Sequence, residues 1–181
     1  MRITGGEFGG RNLKVPKSDL IRPTQDRVRE ALFSMLQFEL AGKDFLDLFA
    51  GSGSVGLEAL SRGARSVTFV ERETRHALVI RENLTLVGKT ATIVTGDAYR
   101  YLENYTGAGF DFAFADPPYA LGEEKGYKSV LNTLSQRGVV KLNGLFIAEM
   151  TSAQQAESVE GWELFKDRTY GKTRLVIWKR N

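Results

Sequence analysis

The chain has no cysteine and a single histidine, His76. Without cysteine it can form no disulfide, thiolate zinc site or thiol nucleophile, which suits a reducing compartment. His76 has no metal-ligand or triad pattern around it, so we expect it on a helix surface and expect no bound metal. No apolar run approaches the ~18 residues of a membrane span, and the first residues lack the apolar segment of a signal peptide. We therefore expect a cytoplasmic protein without membrane contact.

Most of the chain carries no net charge. The 181 residues are 42% hydrophobic and 26% charged, which is typical of a globular domain. Residues 1–30 hold seven Lys or Arg against four acids, and the remainder holds 18 of each, so the net charge of +3 lies at one end. This basic end favours an anionic partner, and a merely solvated basic surface explains it equally well.

Strand and helix patterns alternate along the chain. Gly-rich residues 1–17 predict a small hairpin or extended arm, and Thr24 is the expected N-cap of a first helix. Apolar runs predict strands over 45–49, 66–70, 91–95, 110–115 and 145–149, separated by helices, with an antiparallel pair over 162–169 and 173–179. We expect an α/β fold with a doubly wound, mostly parallel seven-stranded sheet, an antiparallel C-terminal strand and an N-terminal β-hairpin extension.

A Gly-rich motif follows the first strand. Gly51, Gly53 and Gly56 have the G-x-G-x-x-G spacing, which allows a tight turn and close approach of backbone to a ligand. Glu71 ends the next strand, where an acid suits the hydroxyls of a ribose. The pattern favours an adenosine-bearing ligand. A dinucleotide enzyme and an ordinary βα turn with a surface glutamate remain alternatives.

Two aspartates refine the choice of ligand. Asp47, four residues before Gly51, would repel a pyrophosphate and favour the ammonium and sulfonium groups of S-adenosylmethionine over NAD. A structural ion pair is the other interpretation of Asp47. Asp97 follows the third strand, where it either accepts from an adenine amine or caps the next helix.

The segment Asp116-Pro117-Pro118-Tyr119 follows the apolar strand 110–115. Its prolines fix φ and remove two backbone donors, so neighbouring carbonyls are free to accept from a ligand. Asp116 adds an acceptor and Tyr119 a flat face, which together suit a planar base with an exocyclic amine. The alternative is a stiff surface turn. Since ligands of doubly wound sheets bind beyond the strand C-termini, we expect all these motifs in one cleft.

The Gly-rich motif and the Asp116–Tyr119 segment resemble those of class I S-adenosylmethionine-dependent methyltransferases that modify exocyclic amines of nucleic-acid bases. Residues 2–6, 9–11 and 22–33 are similar to the start of the bacterial 16S ribosomal RNA guanine-N2 methyltransferase (RsmD) family, and the likeness covers nearly the whole chain. The turn at 170–173 is similar too. The resemblance implies a Rossmann-like monomer that uses S-adenosyl-L-methionine on 16S rRNA, within the small ribosomal subunit or its assembly intermediate.

The same resemblance implies a role for each matching residue. Asp116, Pro117, Pro118 and Tyr119 would hold the target guanine. Cofactor contacts are expected from Thr24, Asp47, Phe49, Ala50, Gly51, Ser52, Gly53, Glu71, Arg72, Asp97 and Ala98. Residues 1–20 would form a basic RNA-contacting arm and residues 21–181 the methyltransferase domain, with RNA contacts from Arg2, Arg11, Lys14, Arg22 and Arg27.

Two other functions remain open. A DNA adenine-N6 methyltransferase would share the motifs, although 181 residues show no separate target-recognition domain. A NAD-dependent oxidoreductase or a plain nucleotide-binding module would share the glycines, but Asp47 and the Asp116–Tyr119 segment argue against it. With little protein outside the catalytic fold, we expect recognition to depend on the shape of a partly assembled ribosomal particle.

Overall fold

The alternation predicted from residue 44 onward is observed. A computed structural model describes residues 1–16, 26–117 and 119–181, with side chains left out for 119–126. Its elements are α1 (Asp26–Leu36), β1 (Asp44–Leu48), α2 (Ser54–Ser61), β2 (Ser66–Glu71), α3 (Thr74–Val87), β3 (Thr92–Thr95), α4 (Ala98–Glu103), β4 (Phe110–Ala115), α5 (Tyr119–Gln136), β5 (Val140–Thr151), β6 (Trp162–Tyr170) and β7 (Thr173–Arg180). In the described part of the chain, the strands belong to a mixed seven-stranded sheet.

Residues 1–97 form one of two units of the chain. Its strands are parallel in the order β3-β2-β1, with Phe45 opposite Val67 and Val70 opposite Val94. β1 is apolar except at Asp44 and Asp47, and Phe45, Leu46 and Leu48 are fully buried. Such continuous apolar runs are typical of parallel strands covered on both faces, so this unit carries its core on both sides of the strands.

Residues 98–181 form the second unit. β4 and β5 are parallel, with Ala115 opposite Ala148, and β5, β7 and β6 are antiparallel, with Thr151 opposite Thr173. The antiparallel tail is therefore confirmed. Its core is aromatic, since the rings of Phe146 and Trp178 stack with centroids 5.8 Å apart. None of the described helices is long and apolar enough to cross a membrane.

The N-terminal arm is a short hairpin that packs on α2. Arg2 and Asn12 form an antiparallel bridge, and Ile3 and Leu13 are buried. Gly6 has φ +77°, and a Cβ there would lie 2.0 Å from the carbonyl oxygen of Ser61. Only glycine permits this approach, so the Gly-rich composition of the arm serves its docking.

Two elements extend beyond their predicted bounds. α5 was expected from residue 127 but begins at Tyr119. The prediction began too late because Gly122 and Gly126 are more typical of a loop than of a helix. β5 was expected over 145–149 but spans Val140–Thr151. Its early part is irregular, since the register to β4 shifts between Phe110 and Phe112, and Asn143 has φ +62°. A bulge of this kind hides the strand from a period-two pattern.

Candidate functional site

The Gly-rich turn between β1 and α2 is held in a left-handed backbone conformation. Phe49, Gly51 and Gly53 have φ of +59°, +54° and +77°. Positive φ is costly for Phe49, at roughly 1–3 kcal/mol for a bulky residue, and such strain clusters at ligand sites. Ala50 N donates to the carbonyl of Val70 at 3.0 Å, which fastens the turn to β2.

The third glycine allows α2 to approach β2. A Cβ on Gly56 would lie 2.3 Å from Cε1 of Phe69, and one on Gly53 would lie 3.1 Å from Cγ1 of Ile80. Close helix–strand packing is the role of the last glycine in this fingerprint. Each of the three glycines therefore serves the turn, through its positive φ or through close packing, as the spacing predicted.

Two buried carboxylates hold the two ends of the turn. Asp47 Oδ2 accepts from Gly56 N at 2.9 Å, and Glu71 Oε2 accepts from Gly51 N at 2.7 Å. The residues are only 1% and 7% exposed. Two of the three predicted cofactor-binding acids, Asp47 and Glu71, thus lie at the turn, and in this structure each one supports its backbone.

The environment of Asp47 disfavours its charge. Burial raises the pKa of Asp47 from 3.8 to about 7, the charge of Glu71 adds to the rise, and the bond from Gly56 opposes it. A cationic ligand near these two acids would relieve that cost, whereas a pyrophosphate would increase it. The electrostatics of the turn therefore favour a cation over a dinucleotide.

Glu71 also organises the residues around it. Its Oε1 accepts from Glu73 N at 2.8 Å and lies 3.4 Å from Nδ1 of His76. His76, expected on the helix surface, is instead packed against this carboxylate with a side chain 14% exposed. Arg72, predicted to contact the cofactor, is exposed and pairs with Glu73 at 3.4 Å.

The end of β3 lies beside the end of β2. Gly96 N donates to the carbonyl of Glu71 at 3.0 Å, and exposed Asp97 follows directly. Asp97 also precedes the first residue of α4, Ala98, which is buried. Residues 1–97 thus gather the Gly-rich turn, Glu71 and the Gly96–Asp97 pair at the carboxyl ends of β1, β2 and β3.

The Asp116 segment belongs to the second unit. Asp116 and Pro117 directly follow β4, with Asp116 half-buried and Pro117 buried. Pro118 and the side chain of Tyr119 lie outside the described residues, so their predicted roles stay predictions. The polar end of an apolar strand is as expected.

Two residues near this segment escaped the sequence patterns. The hydroxyl of buried Tyr127 donates to the carbonyl of Glu149 at 2.9 Å. Burial raises the pKa of Tyr127, and the charges of Asp116 and Glu149 contribute to the rise. One signal was available, because Glu149 interrupts the apolar run of β5 at the same strand end as Asp116.

The predicted RNA-binding residues of the arm are exposed. Arg2 lies 3.7 Å from Asp26, and Lys14 Nζ lies 2.9 Å from Glu82. Arg11 donates to the carbonyl of Leu86 at 2.7 Å. Arg27 is exposed on α1, whereas Arg22 and Thr24 lie outside the described residues. These contacts orient the arm cations and leave their function as RNA ligands a prediction.

A buried amide links the arm to the Gly-rich turn. Asn83 is 0% exposed. It accepts from Lys14 N at 2.8 Å, donates to Lys14 O at 3.0 Å and donates to Ser52 O at 3.2 Å. Asparagine inside a helix carries no sequence signal for this role, because its partners are 31 and 69 positions away.

A second buried link ties the arm to α1 and α2. Glu58 accepts from Thr4 N at 2.7 Å, from Arg62 Nε at 2.8 Å and from Arg29 Nε at 3.3 Å. Arg29, fully buried, also donates to the carbonyl of Arg2 and pairs with Asp26 at 2.9 Å. Glu58 therefore has a structural role that joins the arm to both helices.

The fold is that of the α/β Rossmann-like methyltransferases. The solved structure of yhhF from Escherichia coli matches with a TM-score of 0.89 and 32% identity, covering 100% of this chain and 98% of the other. The predicted fold class is therefore confirmed.

The chain belongs to the family described as conserved hypothetical protein 95, which matches residues 1–179. "Ribosomal RNA small subunit methyltransferase D" of Escherichia coli strain K12 is 34% identical over 182 residues, covering 99% of this chain and 90% of the relative. The protein of that name from Haemophilus influenzae is 34% identical over 175 residues, covering 94% and 89%. The resemblance to the RsmD family is confirmed.

Proposed function

We propose that this protein transfers a methyl group from S-adenosyl-L-methionine to the exocyclic N2 amine of a guanine in 16S ribosomal RNA. The observation that carries the proposal is the Gly-rich turn held between two buried carboxylates, Asp47 and Glu71. The family relatives, which bear the name of small-subunit rRNA methyltransferases, support the choice of RNA substrate. The choice of guanine N2 rests on the motif likeness.

The residues of the turn fit this cofactor. Oε2 of Glu71 accepts one backbone bond in this structure and retains a second lone pair, so the side chain can also bind a ribose hydroxyl, while Oε1 lies beside His76. The acids beside the turn suit a ligand with cationic groups and oppose the pyrophosphate of NAD. We assign the methionine end to residues 49–53 with Asp47 beneath them, and the adenine to Asp97 and Ala98.

When bound, S-adenosylmethionine supplies an electrophilic methyl group on sulfur. The amine of guanine is a weak nucleophile because its lone pair is delocalised into the ring. Asp116 and a carbonyl of the Pro117 region would accept the two N2–H bonds and orient that lone pair. Such positioning contributes up to about 7–11 kcal/mol for well-oriented reactants.

The remaining residues of the segment complete the proposed pocket. Tyr119 would stack on the base, which contributes roughly 1–3 kcal/mol. As the N–C bond formed, the bond between sulfur and the methyl carbon would break and a neutral thioether would leave, and Asp116 or water would accept the proton that the amine loses. A guanine in a stem or loop must be turned out of its stack to reach the segment.

The test compares Glu71→Gln with Glu73→Gln. Gln at 71 can still accept from Gly51 but loses the charge and one acceptor, so we expect at least tenfold weaker S-adenosylmethionine binding by calorimetry. Glu73 is a neighbouring exposed acid, and its variant should bind like the wild type. NAD binding by the wild type without S-adenosylmethionine binding would overturn the proposal.

The substrate is tested with labelled methyl transfer. Unmethylated small subunits, free 16S rRNA and DNA are offered to the wild type and to Asp116→Ala. We expect transfer to ribosomal RNA alone, a product that mass mapping identifies as N2-methylguanosine, and loss of transfer in the variant with cofactor binding intact. Methylated adenine in DNA would instead identify a DNA methyltransferase.

A further inference from the structure

The turn between β6 and β7 carries positive charge with no role in the proposed chemistry. We call residues 168–173 the hairpin tip. Arg168 and Lys172 are exposed there, and Tyr170 is half-buried. The likeness of residues 170–173 to the RsmD family assigns them no function.

Strand register places the hairpin tip at the strand end that carries Asp116. Ala115 pairs with Ala148 across β4 and β5, and Ala148 pairs with Val176 across β5 and β7. Asp116 is therefore level with Leu175. Lys172 lies three residues beyond Leu175, in the turn that precedes β7. At strand spacings, the hairpin tip extends about 10 Å past Asp116 and about 10 Å to its side.

Backbone contacts hold the hairpin tip in place. Gly171 has φ +62° at the first central position of a two-residue loop, which fits a type II′ turn, and Tyr170 pairs with Thr173 across it. Lys172 O also accepts from Ser152 N at 3.0 Å, which fastens the turn to the segment after β5. An element held in this way can present its charges in a fixed place.

An ion pair at the base neutralises two of the neighbouring charges. Arg174 Nε donates to Asp167 at 2.8 Å. Arg168 donates to the backbone carbonyl of Asp167 at 2.8 Å, and among the described residues no carboxylate forms an ion pair with Arg168 or Lys172. The hairpin tip thus presents two positively charged side chains, Arg168 and Lys172, to solvent.

We propose that the hairpin tip binds the sugar-phosphate backbone of the RNA strand that carries the target base, a proposal that rests on the proposed function. Arg168 and Lys172 would contact phosphates, and Tyr170 offers a face to a neighbouring base. Such contacts set the register of the strand, so that the target nucleotide arrives at Asp116. They carry no sequence information of their own.

The experiment removes the two cations of the hairpin tip and compares the result with the removal of two cations elsewhere in the same unit. Arg168→Ala with Lys172→Ala is measured beside Arg137→Ala with Lys179→Ala, which removes two cations at the opposite end of the same unit. Arg168→Gln with Lys172→Gln repeats the change with longer side chains. Filter binding of 16S rRNA over a KCl series, the KM for small subunits, kcat and S-adenosylmethionine affinity are recorded.

We expect the hairpin-tip variants to bind RNA about tenfold more weakly and to lose roughly 1.5 from the slope of log K against log salt, as two phosphate contacts require. The KM should rise while kcat and cofactor affinity stay unchanged. Wild-type RNA affinity and slope in these variants, or an equal loss in the control, would overturn the inference. RNA binding is read without methyl transfer, so a wild type that binds rRNA through the hairpin tip but methylates none would overturn only the proposed function.

Discussion

At the scale of single residues, Asp47 shows how burial changes a group that the sequence marks as a ligand. In the proposed cofactor site this acid lies beside the Gly-rich turn, and full burial raises its pKa to about 7. A group that carries such a cost without ligand is typical of functional sites.

The free energy of unfolding should depend on pH because the charged form of Asp47 is disfavoured in the folded protein. The folded-state pKa of Asp47 exceeds the unfolded value of 3.8, so the folded protein binds the extra proton between 3.8 and about 7. Its contribution to stability therefore falls as the pH rises through that window. We expect Asp47→Asn to gain roughly 2–4 kcal/mol relative to the wild type between pH ~4 and pH ~8, measured by urea unfolding.

The control for this measurement is Glu30→Gln, which removes an exposed carboxyl of α1. It should leave the pH profile of the wild type in place. A difference between Asp47→Asn and wild type that stays constant with pH would contradict the burial argument.

Gly56 illustrates a residue whose importance is steric. Alanine within a helix normally stabilises by about 1 kcal/mol over glycine. At Gly56 the new methyl group would lie 2.3 Å from the buried ring of Phe69, and overpacking costs roughly 1–3 kcal/mol. We expect Gly56→Ala to lower the unfolding free energy, and Phe69→Leu in the same chain to restore part of the loss.

Gly96→Ala serves as the comparison, because no atom of the described residues lies within 4 Å of a Cβ at that position. Its unfolding midpoint should stay near that of the wild type. Equal stability of Gly56→Ala and Gly96→Ala would show that α2 can shift away from β2 without cost.

At the scale of elements, the strands of the sheet were predictable and the ends of some elements were not. Apolar runs identify β1, β2 and β4, because a strand buried on both faces is a nearly continuous apolar run without alternating polar residues. The start of α5 was missed since Gly122 and Gly126 weaken its helical pattern. The early part of β5 was missed because its bulge breaks the period of two.

Asn83 couples two elements that a sequence pattern treats as unrelated, the arm and the Gly-rich turn. Asparagine→aspartate at this position keeps the acceptor for Lys14 N and removes both donors, to Lys14 O and Ser52 O. We expect Asn83→Asp to lose about 1–3 kcal/mol of stability and to bind S-adenosylmethionine several-fold more weakly, measured by unfolding and calorimetry.

Asn104→Asp is the matched control, since the exposed side chain of Asn104 donates to the carbonyl of Arg100, four residues earlier in the chain, at 2.8 Å. It should change neither quantity measurably. If Asn83→Asp lost stability but bound the cofactor like the wild type, Asn83 would anchor the arm without influencing the turn.

At the scale of the whole molecule, the cations that we propose as RNA contacts lie on the arm and on the hairpin tip. Cations of this kind would contact phosphates and would position a strand without identifying its bases. On this proposal, specificity comes from the shape of the substrate.

We therefore expect methyl transfer to unmethylated small-subunit particles at least tenfold faster than to a free hairpin of the same target sequence. Both substrates are compared at equal concentration and salt, because phosphate contacts make affinity depend strongly on ionic strength. Equal rates on the short hairpin would show that the enzyme reads the local sequence instead.

Residue chemistry and chain order were sufficient to predict the α/β class, the strand-end placement of each motif and the acidic Gly-rich turn. These depend on local periodicity and on turn geometry, which adjacent residues determine. Tertiary structure alone decided that Asp47 and Glu71 each grip one end of the turn, that Arg29, Glu58 and Asn83 are buried, and that the hairpin tip extends past Asp116. Those facts arise from contacts between residues far apart in the chain, and burial converts an ordinary polar side chain into a specific link.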